Sequence, residues 1–224
     1  MFENTILVDR IKHRHKSVKR YDRFDFSSSA VSAPLGLSEL DKASHHYPLV
    51  FSANGPFVPV ALLGSGVGGN LQITDDGQWS KPYVPAHIRR YPFILGEQGD
   101  VSSYSLMIEE SAFAEDGDGE ALFASEDSAD ENSLCDRALA FLAAYQRDLR
   151  AAEDFCTPLQ EAGVMVAKEI RTTQDGELKG RITGVLVVDE DLLAQLDPEL
   201  LSKWNGSGLL KLVYRHLTSL ERLA

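Results

Sequence analysis

Apolar residues recur along this chain in two rhythms. Leu134, Ala138, Phe141, Leu142, Tyr145, Leu149, Ala152, Phe155 and Leu159 follow one another at three- and four-residue steps. That spacing predicts one amphipathic helix of roughly six turns or more, with Ser133 as N-cap and Asp136 completing the cap. Pro158 is expected to kink or end it, because a proline inside a helix removes a donor and crowds the preceding turn. A second apolar face, from Leu209 through Leu212, Val213, His216 and Leu220 to Leu223, follows the breaker Asn205-Gly206-Ser207-Gly208 and predicts a last helix. The remaining apolar runs are short and strand-like. Pro48–Ser52, Val58–Leu63, Leu71–Thr74, Phe93–Gly96 and Tyr104–Ile108 are punctuated by ANGP, GSGVGGN, DDGQ and EQGD. Val164–Thr172 and Lys179–Val188 flank the turn QDGE, and ITGVLVV, apolar on both parities, predicts a strand buried on both faces. Short helices are expected after Ser38 as N-cap, after Asp189 or Asp191, and at Asp197-Pro198, which sets proline at the first helical position.

These elements describe an α+β protein: an N-terminal short-strand sheet with small helices, then a long helix, a β-hairpin and terminal helices. Residues 1–33 read as an irregular basic arm, 34–112 as a strand-rich part, 113–132 as an acidic loop and 133–224 as a helix–hairpin–helix part, with 33–224 readable as one domain. At 224 residues, 43% hydrophobic and 25% charged, the composition is that of a soluble globular protein. A net charge of −12 argues against nucleic-acid binding, which needs a basic face. The charge is uneven, however. Residues 10–23 hold seven Lys or Arg, whereas 109–132 hold ten Asp or Glu and no cation, which implies solvated tails or attraction between the two segments. Cys135 and Cys156 fall in one helix, about 30 Å apart along it, so they cannot pair with each other. With no apolar run long enough for a signal peptide or a membrane span, the expectation is a cytoplasmic protein with reduced thiols.

The segment richest in chemistry is WSKPYVPAHIRRYPF, Trp79 to Phe93. Its three prolines restrict the backbone to a rigid elbow, extended and then helical. Trp79, Tyr83, His87 and Tyr91 surround the adjacent Arg89 and Arg90. Arginines beside aromatic faces grip a carboxylate or phosphate, or else hold an acidic loop of the same chain. These six residues are the candidate ligand- or partner-binding set.

Other motifs are weaker. Gly64 to Gly69 fits a dinucleotide-binding spacing, but NLQITDDG follows where a helix would have to begin, so it reads as a hairpin loop. His13, His15, His45 and His46 lie among cations, without the carboxylates or thiols of a metal cage. His216 sits at helical spacing among leucines, as a hydrogen-bonded core or edge histidine would. Glu109 and Glu110 are adjacent on a strand, point to opposite faces and read as a solvated rim. No serine lies in a nucleophile elbow. Neither catalytic residues, a metal nor a cofactor is expected. HHYPLVFS and RRYPFILG share a helix–Tyr-Pro–strand pattern 44 residues apart, most simply a recurring helix stop.

Several pieces, in order, resemble the SapC family of bacterial proteins. They are Tyr47-Pro48, PVALLG (Pro59–Gly64), Asn70-Leu71, the spaced Asp75, Gly77 and Trp79, Tyr83-Val84-Pro85, RRYPF (Arg89–Phe93), Ala138–Tyr145, VVDE (Val187–Glu190) and SGLLKLVYRHLTSL (Ser207–Leu220). The resemblance spans roughly residues 34–223. It implies association with a bacterial surface layer or peptide transport, beside secretion machinery, outer-membrane uptake receptors or halogenase-like and cupin-like enzymes, and it carries no catalytic residues. The expectation is a non-catalytic accessory protein whose partner is a protein or a small anionic or peptide ligand, with oligomerisation open. An enzyme or enzyme subunit modifying a peptide or small molecule is the alternative, favoured by a deep pocket of His87, Arg89 and Tyr214. Self-assembly as a surface protein is a third reading.

Overall fold

The computed structural model describes residues 1–64, 68–97, 104–115, 118–124, 133–174 and 177–223. Its strands are β1 (Thr5–Leu7), β2 (Ser17–Val18), β3 (Ser32–Pro34), β4 (Leu49–Ser52), β5 (Pro59–Leu62), β6 (Phe93–Glu97), β7 (Tyr104–Glu109), β8 (Glu120–Ala121), β9 (Met165–Gln174) and β10 (Glu177–Val188). Its helices are α1 (Leu40–Ser44), α2 (Ala86–Arg89), α3 (Leu134–Glu161), α4 (Glu190–Ala194), α5 (Pro198–Ser207) and α6 (Leu209–Leu220). The protein is α+β, with antiparallel sheets ordered β1-β7-β6, β3-β5-β4-β10-β9 and β2-β8.

The N-terminal arm departs most from expectation. Residues 1–33, read as irregular, contribute to all three sheets: β1 pairs with β7, β2 with β8, and Ser32 and Ala33 begin the strand that pairs with β5. The basic segment packs against the acidic one here, through strand pairing and ring contacts. Val18 faces Glu120 across the β2–β8 pair, Arg10 lies over the Phe123 ring, and Lys16 lies over Phe113. Leu71–Thr74, expected as a strand, instead makes an isolated bridge from Ile73 to Trp79, just after one between Gly64 and Asn70. No helix follows the glycine run, whose middle residues lie outside the described ones.

The hairpin of β9 and β10 joins the N-terminal strands in one sheet, because Val185 and Leu186 pair with Ser52 and Phe51 of β4. A bulge between Ile182 and Val185 places Gly184 at φ 73°, in the left-handed region that favours glycine. Beyond it Val185, Val187 and Val188 are buried, as the doubly apolar run predicts. His216 of α6 closes the seam between the two strands. It is fully buried, with Nδ1 2.8 Å from the Leu49 carbonyl, and its Nε2 accepts the Val188 amide at 3.0 Å. Both contacts fix a neutral ring, and burial pushes its pKa down to about 4.

Two corrections concern helix ends. Ser38 is not an N-cap; its amide and hydroxyl both donate to Asp148 of α3, and Glu39 accepts the Gly36 amide instead. Gly36 is required there, since a Cβ would sit 2.1 Å from an Asp148 oxygen. Pro158 does not end α3, which runs on to Glu161. The missing donor costs one intrahelical bond, and only three helical residues follow the proline before the helix ends.

Helix α3, roughly 40 Å long, serves two hydrophobic cores. Its first turns bury Cys135, Ala138 and Leu142 against Val18, Phe93, Ile108 and Leu122. Its last turns bury Cys156 and Leu159 in the main core with Tyr47, Phe51, Ile88 and Trp204. Both cysteines are free and buried, and burial raises the Cys156 thiol to about 12. Tyr145 lies between the two cores, opposite the proline elbow.

Candidate functional site

The elbow is extended to Pro85, which caps α2, a single turn carrying His87, Ile88 and Arg89. The peptide between Tyr91 and Pro92 is cis. Ile88 is fully buried and anchors this turn in the main core. Successive helix residues point about 100° apart, so with Ile88 inward its neighbours diverge.

Trp79 and Tyr83 stitch the elbow to the body. Trp79 Nε1 donates to the Tyr47 hydroxyl at 2.8 Å and to the Tyr83 carbonyl at 3.1 Å, and the Tyr47 hydroxyl donates to the same carbonyl. The Tyr83 hydroxyl donates to Glu39 Oε1 at 2.7 Å. Glu39, 4% exposed, also accepts the amides of Ala86 at 2.7 Å and Gly36 at 2.9 Å. Three donors from its own chain therefore satisfy this buried carboxylate. Burial and the Glu39 charge hold the Tyr83 phenol well above its ordinary pKa.

His87 forms a chain with its neighbours. Its Nδ1 is 3.2 Å from the Tyr145 hydroxyl, which donates to the Pro34 carbonyl at 3.2 Å, and its Nε2 faces Arg90 Nη2 at 3.5 Å. The consistent assignment is Nδ1–H donating to Tyr145, with Nε2 free to accept. Burial, then the Arg90 charge, pushes the His87 pKa down to about 3, so the ring is neutral. Burial holds the Tyr145 phenol above its usual range.

The two arginines meet different fates. Arg89 is exposed; its Nε donates to the Val84 carbonyl at 3.0 Å and its guanidinium lies 5.3 Å over the Phe141 ring. Arg90 is largely buried, its guanidinium 5.4 Å over Phe2, and its Nε is buried with no acceptor among the described residues. Among those same residues no carboxylate pairs with either arginine. Burial pushes the Arg90 pKa down. Tyr91 stacks on Phe26 at 4.1 Å and meets Tyr21 edge-on at 4.9 Å.

Two clefts open on either side of Arg89. One, of about 400 Å³, is walled by Lys19, Arg20, Tyr21, Arg89, Arg90, Tyr91 and the first turns of α3, including Arg137. Glu120 is the carboxylate in this wall, and it pairs with Arg137. The other, of about 590 Å³, is walled by Glu39, Lys42, Tyr83, Arg89, Tyr145 and Asp148. Of the six candidate residues, Tyr83, Arg89, Arg90 and Tyr91 line the clefts, while Trp79 and His87 line neither and support the elbow from behind. Tyr214 lies in a separate cleft with His45, Arg215 and Arg222. Glu39, Phe141 and Tyr145 enter the site unannounced. The helical pattern read the last two as core, and Glu39 as an ordinary helix residue.

Glu109 also differs from expectation. It is 4% exposed rather than a solvated rim, and it accepts the amides of Glu3 at 2.8 Å and Asn4 at 3.1 Å. Glu110 is exposed and accepts from the Asn4 side chain. Among the described residues no three His, Cys, Asp or Glu side chains gather as a metal site, and no helix is long and apolar enough to cross a membrane.

An α+β scaffold with an arginine-walled cleft between a proline elbow and a long helix is thus the class of protein in hand. The chain belongs to the SapC family, whose family model matches residues 8–224. No curated protein and no solved structure matches it.

Proposed function

We propose that this SapC-family protein is a non-catalytic, cytoplasmic accessory protein of surface-layer export or outer-membrane uptake, and that it binds an anionic group of its partner in the cleft beside Arg90. One observation carries the reading: a largely buried guanidinium that, among the described residues, has no carboxylate beside it and an orphaned Nε. Burying an unpaired charge costs free energy, so folding alone gives no reason to hold Arg90 there. A bound carboxylate or phosphate supplies the missing countercharge through charge-assisted hydrogen bonds. Nearby Lys19, Arg20 and Arg89 raise the local positive potential of a chain whose net charge is −12. A deep pocket of His87, Arg89 and Tyr214 would favour the enzyme alternative, but Arg89 and Tyr214 line different clefts.

The test titrates acetate, N-acetylglutamate and phosphate at low ionic strength, following the Arg90 Nε–H resonance and the melting temperature. At least one anion should move the resonance and raise Tm, and Arg90→Met should abolish both effects. A resonance that no anion moves ends this reading.

A further inference from the structure

The two clefts share Arg89 and Phe141 in their walls, so they adjoin along α3 as a groove crossed by the Arg89 side chain. Its floor is a single stripe of α3. Leu134, Ala138, Phe141, Tyr145, Asp148 and Ala151 recur at steps of three and four, one face of a helix. From Leu134 to Ala151 the stripe is about 25 Å long. An extended peptide rises about 3.3 Å per residue, so the groove accommodates roughly seven or eight residues. A small anion would occupy a fraction of it.

Charge selects the occupant. Lys19, Arg20, Lys42, Arg89, Arg90 and Arg147 line the groove, and none has an ion pair among the described residues. The carboxylates in its walls are already engaged: Glu39 by Tyr83 and two amides, Asp148 by Ser38, and Glu120 by Arg137. Between the cations lie apolar surfaces of Leu134, Phe141, Tyr91 and Ala144, suited to side chains that alternate with acids. We infer that the partner is an extended acidic peptide segment with interspersed apolar residues, lying along α3 and crossing over Arg89. This rests on the anion-binding reading of Arg90 and adds the second cleft to it.

The probe is a fluorescein-labelled octapeptide of alternating glutamate and phenylalanine, followed by anisotropy at low ionic strength. N-acetyl-Glu-Phe, which reaches one cleft only, is measured alongside by competition. Ala144→Trp fills the larger cleft from an exposed position of α3, and Lys42→Glu reverses a charge there without touching the core. Each should weaken the octapeptide at least tenfold and leave N-acetyl-Glu-Phe unchanged, whereas Arg90→Met should weaken both. Octapeptide binding that survives Ala144→Trp and Lys42→Glu but not Arg90→Met overturns the groove and leaves the anion site standing. Binding that survives Arg90→Met overturns both. No binding to the wild-type chain, or equal binding of a lysine-for-glutamate octapeptide, overturns the groove.

Discussion

Arg90→Met should make the protein more stable. Methionine keeps most of the arginine stem's volume while removing a charge that no described neighbour neutralises. What the guanidinium itself holds is weak: a 3.5 Å approach to His87 Nε2 and a cation–π interaction with Phe2, the latter worth about 0.5–1 kcal/mol. Replacing buried ionic groups by apolar ones is neutral to stabilising by about 1–4 kcal/mol. Because Arg90 keeps some exposure, the low end applies, and the net gain is about 1 kcal/mol. For a chain of this length that raises Tm by roughly 2–4 °C. His87 supplies an independent readout. Burial and the Arg90 charge together hold its pKa at about 3, so removing the charge should raise it while burial keeps it below 6.5. Calorimetry at pH 7.5 and an NMR titration of the His87 ring measure the two effects. A Tm loss beyond about 4 °C would show that the guanidinium holds the fold together, and an unmoved His87 pKa would show that its charge is already neutralised.

Two further outcomes follow from buried groups remote from the binding chemistry or supporting it. His216 stays neutral to about pH 4 when folded, whereas an unfolded histidine takes up a proton near 6.5. The unfolded chain then binds more protons, so stability is fully present above 6.5 and falls by about 1.4 kcal/mol per pH unit down to 4, roughly 3 kcal/mol in all. His216→Gln should flatten the slope of denaturation free energy over that window by this amount, and an unchanged slope counts against the neutral buried ring. Glu39→Gln should cost about 1.5–3 kcal/mol, because the new amide nitrogen must face a backbone N–H where a carboxylate oxygen accepted one. A urea midpoint unchanged by this substitution would mean that those amides have other acceptors.

Long-range periodicity was readable, and non-local satisfaction was not. The three- and four-residue steps of Leu134 to Leu159 located α3, and the doubly apolar ITGVLVV located a strand with a partner on each side. The strands of the N-terminal arm are two or three residues long, too short for any alternation to register. Glu109 looked solvated because the amides it accepts lie over a hundred residues away in sequence. HHYPLVFS and RRYPFILG do share helix, Tyr-Pro and strand, yet β4 and β6 enter different sheets. The pattern therefore set a local stop and left the pairing to the rest of the chain.

The place of the site follows from α3 itself. A helix of 28 residues that buries its first turns in one core and its last turns in another has middle turns that neither core fully covers. Tyr145 is buried in that interval against His87 of the elbow, while Phe141 and Asp148 beside it stay half-exposed and Ala144 and Arg147 exposed, because Pro85 starts α2 where Ile88 must turn into the main core. With Ile88 fixed inward, the helical twist sends Arg89 outward over Phe141 and leaves Arg90 beneath the arm residue Phe2. The same constraint separates an exposed cation from a buried one two positions past the anchor. Adjacent arginines thus acquire unlike environments from a single buried isoleucine, a distinction that their identical side chains could not announce.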